Sequence, residues 1–231
     1  MTELSLLQSR TGKRWNQEET ARRLGISQTY LSLLENGKRP LTKKLARRVV
    51  RIFDLPAEAY PLNFNATRKK PRKVPDASLA ASLAALGYPK FSHLKKGRRK
   101  NPANVLLAAL GSRNLDARLA EALPWLVLKY SDLDWPAVIN AAKVNNLQNR
   151  LGFVVSVARK TAEKTGDNER AKLLRRRERE LEQSILARED TMCRESLTQA
   201  EKSWVAENRT ERAKHWRLLT DLDSEHLSYA V

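Results

Sequence analysis

Asn16-Gln17-Glu18-Glu19-Thr20-Ala21-Arg22-Arg23-Leu24-Gly25-Ile26-Ser27-Gln28-Thr29-Tyr30-Leu31-Ser32-Leu33-Leu34-Glu35-Asn36-Gly37-Lys38-Arg39-Pro40 is the stretch that decides the reading of this chain. Asn16 is a good N-cap, and Glu19 three residues on completes an Asn-x-x-Glu capping pattern. Ala21 and Leu24 point inward from the helix that follows. Gly25 ends it, at a position where a Cβ would penalise a positive φ. Ile26 plugs the core and Ser27 caps the next helix. The stretch therefore reads as helix, glycine turn, helix, then a basic loop.

The second helix sorts by angle, at about 100° per residue. Tyr30, Leu31 and Leu34 share one side and suit a core. Gln28, Thr29, Ser32, Leu33 and Asn36 share the other, which carries no acid. A glutamine there can pair bidentately with an adenine edge, and the methyls of Thr29 or Leu33 can touch thymine methyls. Candidate base-reading residues are thus Gln28, Thr29, Ser32 and Leu33. Gln17, at a helix N-terminus, and Asn36, Lys38, Arg39 and Lys43, in and after the loop, are candidates for phosphate contacts. A further helix from Thr42 to Phe53 turns Leu45, Val49, Ile52 and Phe53 to one face and leaves its basic residues in solvent. Leu4 and Leu7 mark a short first helix that stops near Gly12.

These residues resemble the phage Cro/repressor-type helix-turn-helix domain, the XRE family. The pattern that carries the resemblance is Gln17, Ala21, Gly25-Ile26-Ser27, Leu31-Ser32, Glu35-x-Gly37 and Arg39-Pro40. The resemblance implies that Gln17 meets a phosphate and that Gln28, Thr29, Ser32 and Leu33 face the DNA groove. Two departures stand out. Thr20 occupies a place where that family usually has leucine, and Trp15 is bulky for the residue before the cap.

Charge points to the same partner. The chain has 231 residues and a net charge of +18. Residues 1–64 hold 12 basic and 6 acidic groups, and residues 65–100 hold 11 and 1. Residues 101–166 hold 8 and 5, and residues 167–231 hold 13 and 14. A polyanion is expected at the N-terminal half. Within it, residues 65–75 have no apolar period and two prolines, so Arg68, Lys69, Lys70, Arg72 and Lys73 form either a basic arm able to follow a minor groove or a solvated linker.

A weak internal repeat follows. Leu83 to Arg99 echoes Ala21 to Arg39, with its two glycines 10 apart instead of 12. Residues 79–110 read as a degenerate second helix-turn-helix, whose Lys90, Lys95, Lys96, Arg98, Arg99 and Lys100 can clamp phosphates. The alternative is an unrelated helix pair with a basic loop.

The remainder reads as helical. Val105, Leu106, Ala109 and Leu110 make one stripe, and Leu119, Leu123, Leu126 and Val127 another, bent or interrupted at Pro124. The polar run Asn145 to Arg150 reads as a helix boundary with caps, with a partner-binding patch as the alternative. Arg176 with Glu180 and Arg179 with Glu182 have helix-surface pair spacing, and Leu174, Leu181, Ile185 and Arg188 give an incomplete heptad stripe, read as an ordinary solvated helix with a coiled-coil dimer as the alternative. Thr198 with Glu201 is a capping box, and Thr210 caps a helix before Trp216. Trp204, Trp216, Leu222, Leu227 and Tyr229 make the last forty residues too apolar for a loose tail. They either dock on the bundle or bind a partner.

The expected architecture is all-α: a five-helix-type Cro/repressor domain over 1–62, a basic linker over 63–76, a helical domain over 77–166 and a charged helix with C-terminal helices over 167–231. The single Cys193 excludes an internal disulfide and suits a reducing cytoplasm. No signal peptide or membrane span is expected. The three histidines have no zinc-ligand spacing, no phosphate loop or dinucleotide fingerprint occurs, and no catalytic constellation, metal or cofactor is expected. The expected partner is double-stranded operator DNA, met as a homodimer. The resemblance implies two functional settings: a repressor, or an antitoxin whose residues 167–231 neutralise a toxin while the N-terminus represses the operon.

Overall fold

The structure, a computed structural model, describes residues 6–63, 74–95 and 97–223. The chain divides into two compact units, Met1–Asn63 and Phe64–Val231.

The first unit holds α1 (Leu6–Gly12), α2 (Gln17–Leu24), α3 (Gln28–Glu35) and α4 (Lys43–Ile52). Its fifth element is a single 3-10 turn, Ala57–Ala59. Leu6, Ala21, Leu24, Leu31, Leu45, Val49 and Phe53 form the core, with Trp15, Ile26, Tyr30 and Leu34 packed around it. Trp15 stacks obliquely on Phe53, ring centroids 5.2 Å apart, and carries the Arg23 guanidinium 4.2 Å above its own ring. The bulky residue before the cap therefore closes one end of the core. Thr20 is fully buried, and its hydroxyl has no hydrogen-bond partner.

In the second unit α5 (Asp76–Leu86), α6 (Pro102–Leu110), α7 (Ala117–Lys129), α8 (Trp135–Val144) and α9 (Gln148–Lys164) form the bundle. The central helix is α9, buried at every position from Gln148 to Ala158 and packed by α7, α8 and α10 (Asn168–Glu182). Pro124 lies inside α7, which continues past it to Lys129. A two-residue parallel ribbon joins β1 (Asp190–Thr191) to β2 (Leu218–Leu219), with Asp190 opposite Leu218. Between the two strands lie α11 (Gln199–Asn208) and α12 (Glu211–His215). The chain is all-α apart from this small ribbon.

Several expectations for this half take a specific form. Leu174 and Leu181 are fully buried, so the heptad-like stripe of α10 packs on α9 within the chain. Residues 167–223 thus share one unit with 77–166. The expected helix-surface pairs are exchanged: Glu180 takes Arg177 at 3.3 Å and Glu182 takes His215 at 3.1 Å. Thr198 and Glu201 form the capping box in both directions. The two tryptophans part company, for Trp216 is fully buried while Trp204 is 58% exposed. Asp223 pairs with Arg212 at 3.1 Å. Leu4, Leu227 and Tyr229 lie outside the described residues. Among the described residues no helix is long and apolar enough to cross a membrane.

Candidate nucleic-acid interface

Helix α2 starts because the Asn16 side chain accepts the Glu19 backbone N–H at 2.7 Å. The reciprocal half of the expected capping box is absent, since the Glu19 carboxylate receives Arg23 instead. Gly25 ends the helix at φ 62°, and the Ile26 N–H returns to the Ala21 carbonyl at 3.0 Å. The Arg48 guanidinium also donates to the Leu24 carbonyl, beside the place where a Cβ on residue 25 would stand. Two separate constraints therefore act on that glycine. Ser27 then caps α3, accepting from Tyr30 N–H at 3.2 Å.

The periodicity of α3 places its two faces in different surroundings. Tyr30, Leu31 and Leu34 pack in the core. Gln28 and Thr29 are exposed, and Ser32 and Leu33 are half-buried. The helix thus leaves a polar edge, led by a glutamine near its N-terminus, open outside the core. After α3, Gly37 turns the chain at φ 67°, and Lys38 and Arg39 both donate their backbone N–H to the Leu33 carbonyl, at 2.9 and 3.2 Å. This pins two exposed cations just after the polar edge of α3. Lys43, at the start of α4, is exposed as well.

Two of the candidate phosphate contacts are engaged within the protein. The Gln17 amide donates to Glu35 at 2.9 Å. Glu35 is 3% exposed and also receives Arg10 through both carboxylate oxygens, at 2.7 and 3.2 Å. Burial pushes the Glu35 carboxyl up, but the hydrogen bonds from Arg10 and Gln17 outweigh it and leave it below the usual range. Arg10, 25 residues away, was not marked by any local pattern, yet it and Gln17 tie α1 and α2 to the end of α3. Gln17 can still offer its backbone N–H as the first residue of α2. Asn36 turns its side-chain amide back to the Ser32 carbonyl at 2.8 Å and serves as the C-cap of α3.

The repeat over 79–110 is real in its first half and fails in its second. Helix α5 ends at Gly87 with φ 92°, and the Tyr88 N–H returns to the Leu83 carbonyl at 3.0 Å, as Ile26 does to Ala21. Where the first copy builds the eight residues of α3, the second has a single 3-10 turn, Pro89–Phe91. No recognition helix stands between Phe91 and Asn101 among the described residues. The cause is Tyr88 and Phe91, which turn into the core with rings 5.1 Å apart and use up the chain that a helix would need. Lys90 pairs with Glu121 at 3.1 Å. Lys95, Arg98, Arg99 and Lys100 are exposed on an extended loop anchored where Gly97 N–H donates to the Ala81 carbonyl at 3.0 Å. Lys96 and the arm residues Arg68, Lys69, Lys70, Arg72 and Lys73 lie outside the described residues. No cluster of three or more metal-ligating side chains occurs among the described residues.

Residues 6–59 match the family model described as Helix-turn-helix, which covers the whole of this four-helix arrangement and its closing 3-10 turn. Neither the curated proteins nor the solved structures contain a match to the chain.

Proposed function

We propose that the chain is a DNA-binding regulator of transcription, a repressor that reads an operator through α3; the match of residues 6–59 to the helix-turn-helix family model supports this reading. Gln28, Thr29, Ser32 and Leu33 contact base edges. Lys38, Arg39, Lys43 and the N-terminal N–H groups of α2 hold the backbone on either side. The observation that carries this reading is the division of α3, with Gln28 and Thr29 exposed on a helix whose opposite side supplies Leu31 to the core. The anchored loop carrying Lys95, Arg98, Arg99 and Lys100 adds phosphate contacts without sequence preference. A single module of this size buries little surface on DNA, so a homodimer on a two-fold site is the natural binding unit.

The antitoxin reading needs a free surface in the C-terminal part. Trp216 is occupied by the protein's own core, which among the described residues of that part leaves Trp204 on α11 as the large aromatic side chain available to a toxin. The repressor reading needs no such partner and is preferred.

Footprinting on the DNA upstream of the chain's own gene tests the proposal. Gln28→Ala should lower discrimination between operator and random DNA by about 1–3 kcal/mol and spare non-specific affinity. Equal losses on both DNAs would reject base reading by Gln28.

A further inference from the structure

Residues 167–231 are near electroneutral in the sequence, but the fold separates their charges. On α10 the residues Ala171, Leu174, Glu178 and Leu181 face inward. At about 100° per residue, Lys172, Arg176, Arg179 and Gln183 fall on the opposite, outermost line. All four are exposed. Glu169, in the first turn, is the exposed acid near the N-terminal end of that line, while the three later acids of the helix are drawn to other partners. Glu178 is buried against Arg159, Glu180 binds Arg177, and Glu182 binds His215. Other arginines nearby are also engaged: Arg170 with Asp167 and Arg175 with Glu163, both at 2.7 Å. Lys172, Arg176 and Arg179 have no carboxylate within ion-pair reach among the described residues. With Arg175, Arg177, Glu180 and Gln183 they line an open depression of about 600 Å³.

We propose that the outer face of α10 is a second DNA-binding surface, which lays Lys172, Arg176 and Arg179 along the phosphate backbone of a duplex. The proposal extends the DNA reading to the second unit and rests on it for the identity of the polyanion. Three chemical features favour phosphate. The outermost line carries no apolar side chain, so it lacks the buried anchor a protein partner would need. Two of the three cations are arginines, whose forked donors fit phosphate oxygens. The three charges span roughly 10 Å of helix, and each DNA strand presents a phosphate about every 3.4 Å of axis, so all three can find one on a single strand. The surface reads charge and not sequence, so it raises affinity for any duplex.

The test uses the full chain and a long random-sequence duplex. Lys172→Gln/Arg176→Gln/Arg179→Gln should keep the parent's melting curve and reduce the slope of log affinity against log salt by about 2–3. Arg176→Lys/Arg179→Lys, which keeps the charge, should retain the slope. Lys38→Gln/Arg39→Gln is measured beside them. If it lowers the slope and the α10 triple variant does not, the surface proposed here is overturned while the N-terminal reading stands. If only the triple variant lowers it, the α10 surface stands and phosphate binding by Lys38 and Arg39 fails. Poly-glutamate serves as a second probe. A triple variant that loses poly-glutamate but keeps its duplex slope would assign the face to an acidic polypeptide and overturn the proposal.

Discussion

The indole of Trp216 lies against the backbone of Gly152, so close that a Cβ at residue 152 would stand 2.1 Å from the ring. Gly152 sits in the buried stretch of α9, where a glycine costs helix stability that only close packing repays. The contact docks the C-terminal segment, because Trp216 follows α12 directly and precedes β2. Gly152→Ala should destabilise the second unit by about 1–3 kcal/mol through overpacking. The cost should shrink when Trp216 is also truncated, since the double variant has room for the methyl. Urea unfolding of the two single variants and the double variant measures this. Simple additivity of the two costs would contradict the contact.

Glu35 makes the first unit sensitive to acid. Its carboxyl is held below the usual 4.5, with burial opposing and Arg10 and Gln17 prevailing. A depressed folded-state value means the contribution is complete above the unfolded value and is lost as pH falls through the folded one. Melting of the first unit should therefore weaken once pH drops below about 4.5. Glu35→Gln should flatten that acid limb and lower the plateau near neutral pH, because Arg10 loses its ionic partner. Thermal melts of parent and variant between about pH 6 and pH 3 compare the two curves. Parallel acid limbs would show that another group governs the loss.

The first unit was legible because its signals are local: a cap, a glycine turn and a 3.6-residue period all lie within Asn16–Pro40, and the elements they predict are α2 and α3. The contacts missed there span greater distances, such as Arg10 with Glu35 and Arg48 with the Leu24 carbonyl. Nothing in a neighbouring residue marks them. In the second unit the stripe Leu174–Leu181 was visible, but whether it would pack in the chain or against a copy depends on α9, which the period of α10 does not encode. The echo of Gly25 at Gly87 was a true repeat of a helix end. It misled beyond that point because Tyr88 and Phe91 favour burial over a second exposed helix. Charge counted along the chain also hid the face of α10, since Glu178, Glu180 and Glu182 are taken up by Arg159, Arg177 and His215, which leaves Glu169 as the unpaired acid of the helix among the described residues.

Thr20 is a buried cost within the first unit. It is fully buried, and its hydroxyl meets no acceptor or donor. A desolvated hydroxyl without a partner costs roughly 1–3 kcal/mol, while an isosteric methyl in the same place costs nothing of that kind. Thr20→Val should accordingly raise the stability of the first unit by about 1 kcal/mol. The backbone of α2 should be unchanged, and so should DNA affinity. Chemical denaturation measures the gain. A loss of stability would mean that the hydroxyl is satisfied in solution.

Arg150 plays a wider part in the second unit than any other charged side chain described. It is 6% exposed and grips both oxygens of Asp190 at 2.7 and 2.9 Å. Its remaining donor reaches the carbonyls of Leu110 and Ser112 at 2.8 and 3.0 Å. One guanidinium thus joins the start of α9 to the end of α6 and to β1, and beside it Asn149 exchanges two hydrogen bonds with the backbone of Leu186. The ribbon that holds Leu218 depends on this anchor through Asp190. Arg150→Met should leave a carboxylate and two carbonyls without their donor, at a cost of about 3–5 kcal/mol. Arg150→Lys keeps the charge and loses the planar fork, so it should recover only part of that loss. Double-mutant cycles with Asp190→Asn separate the ion pair from the carbonyl contacts. Arg150→Lys stability within about 0.5 kcal/mol of the parent would show that charge alone suffices and that the fork geometry has no structural role.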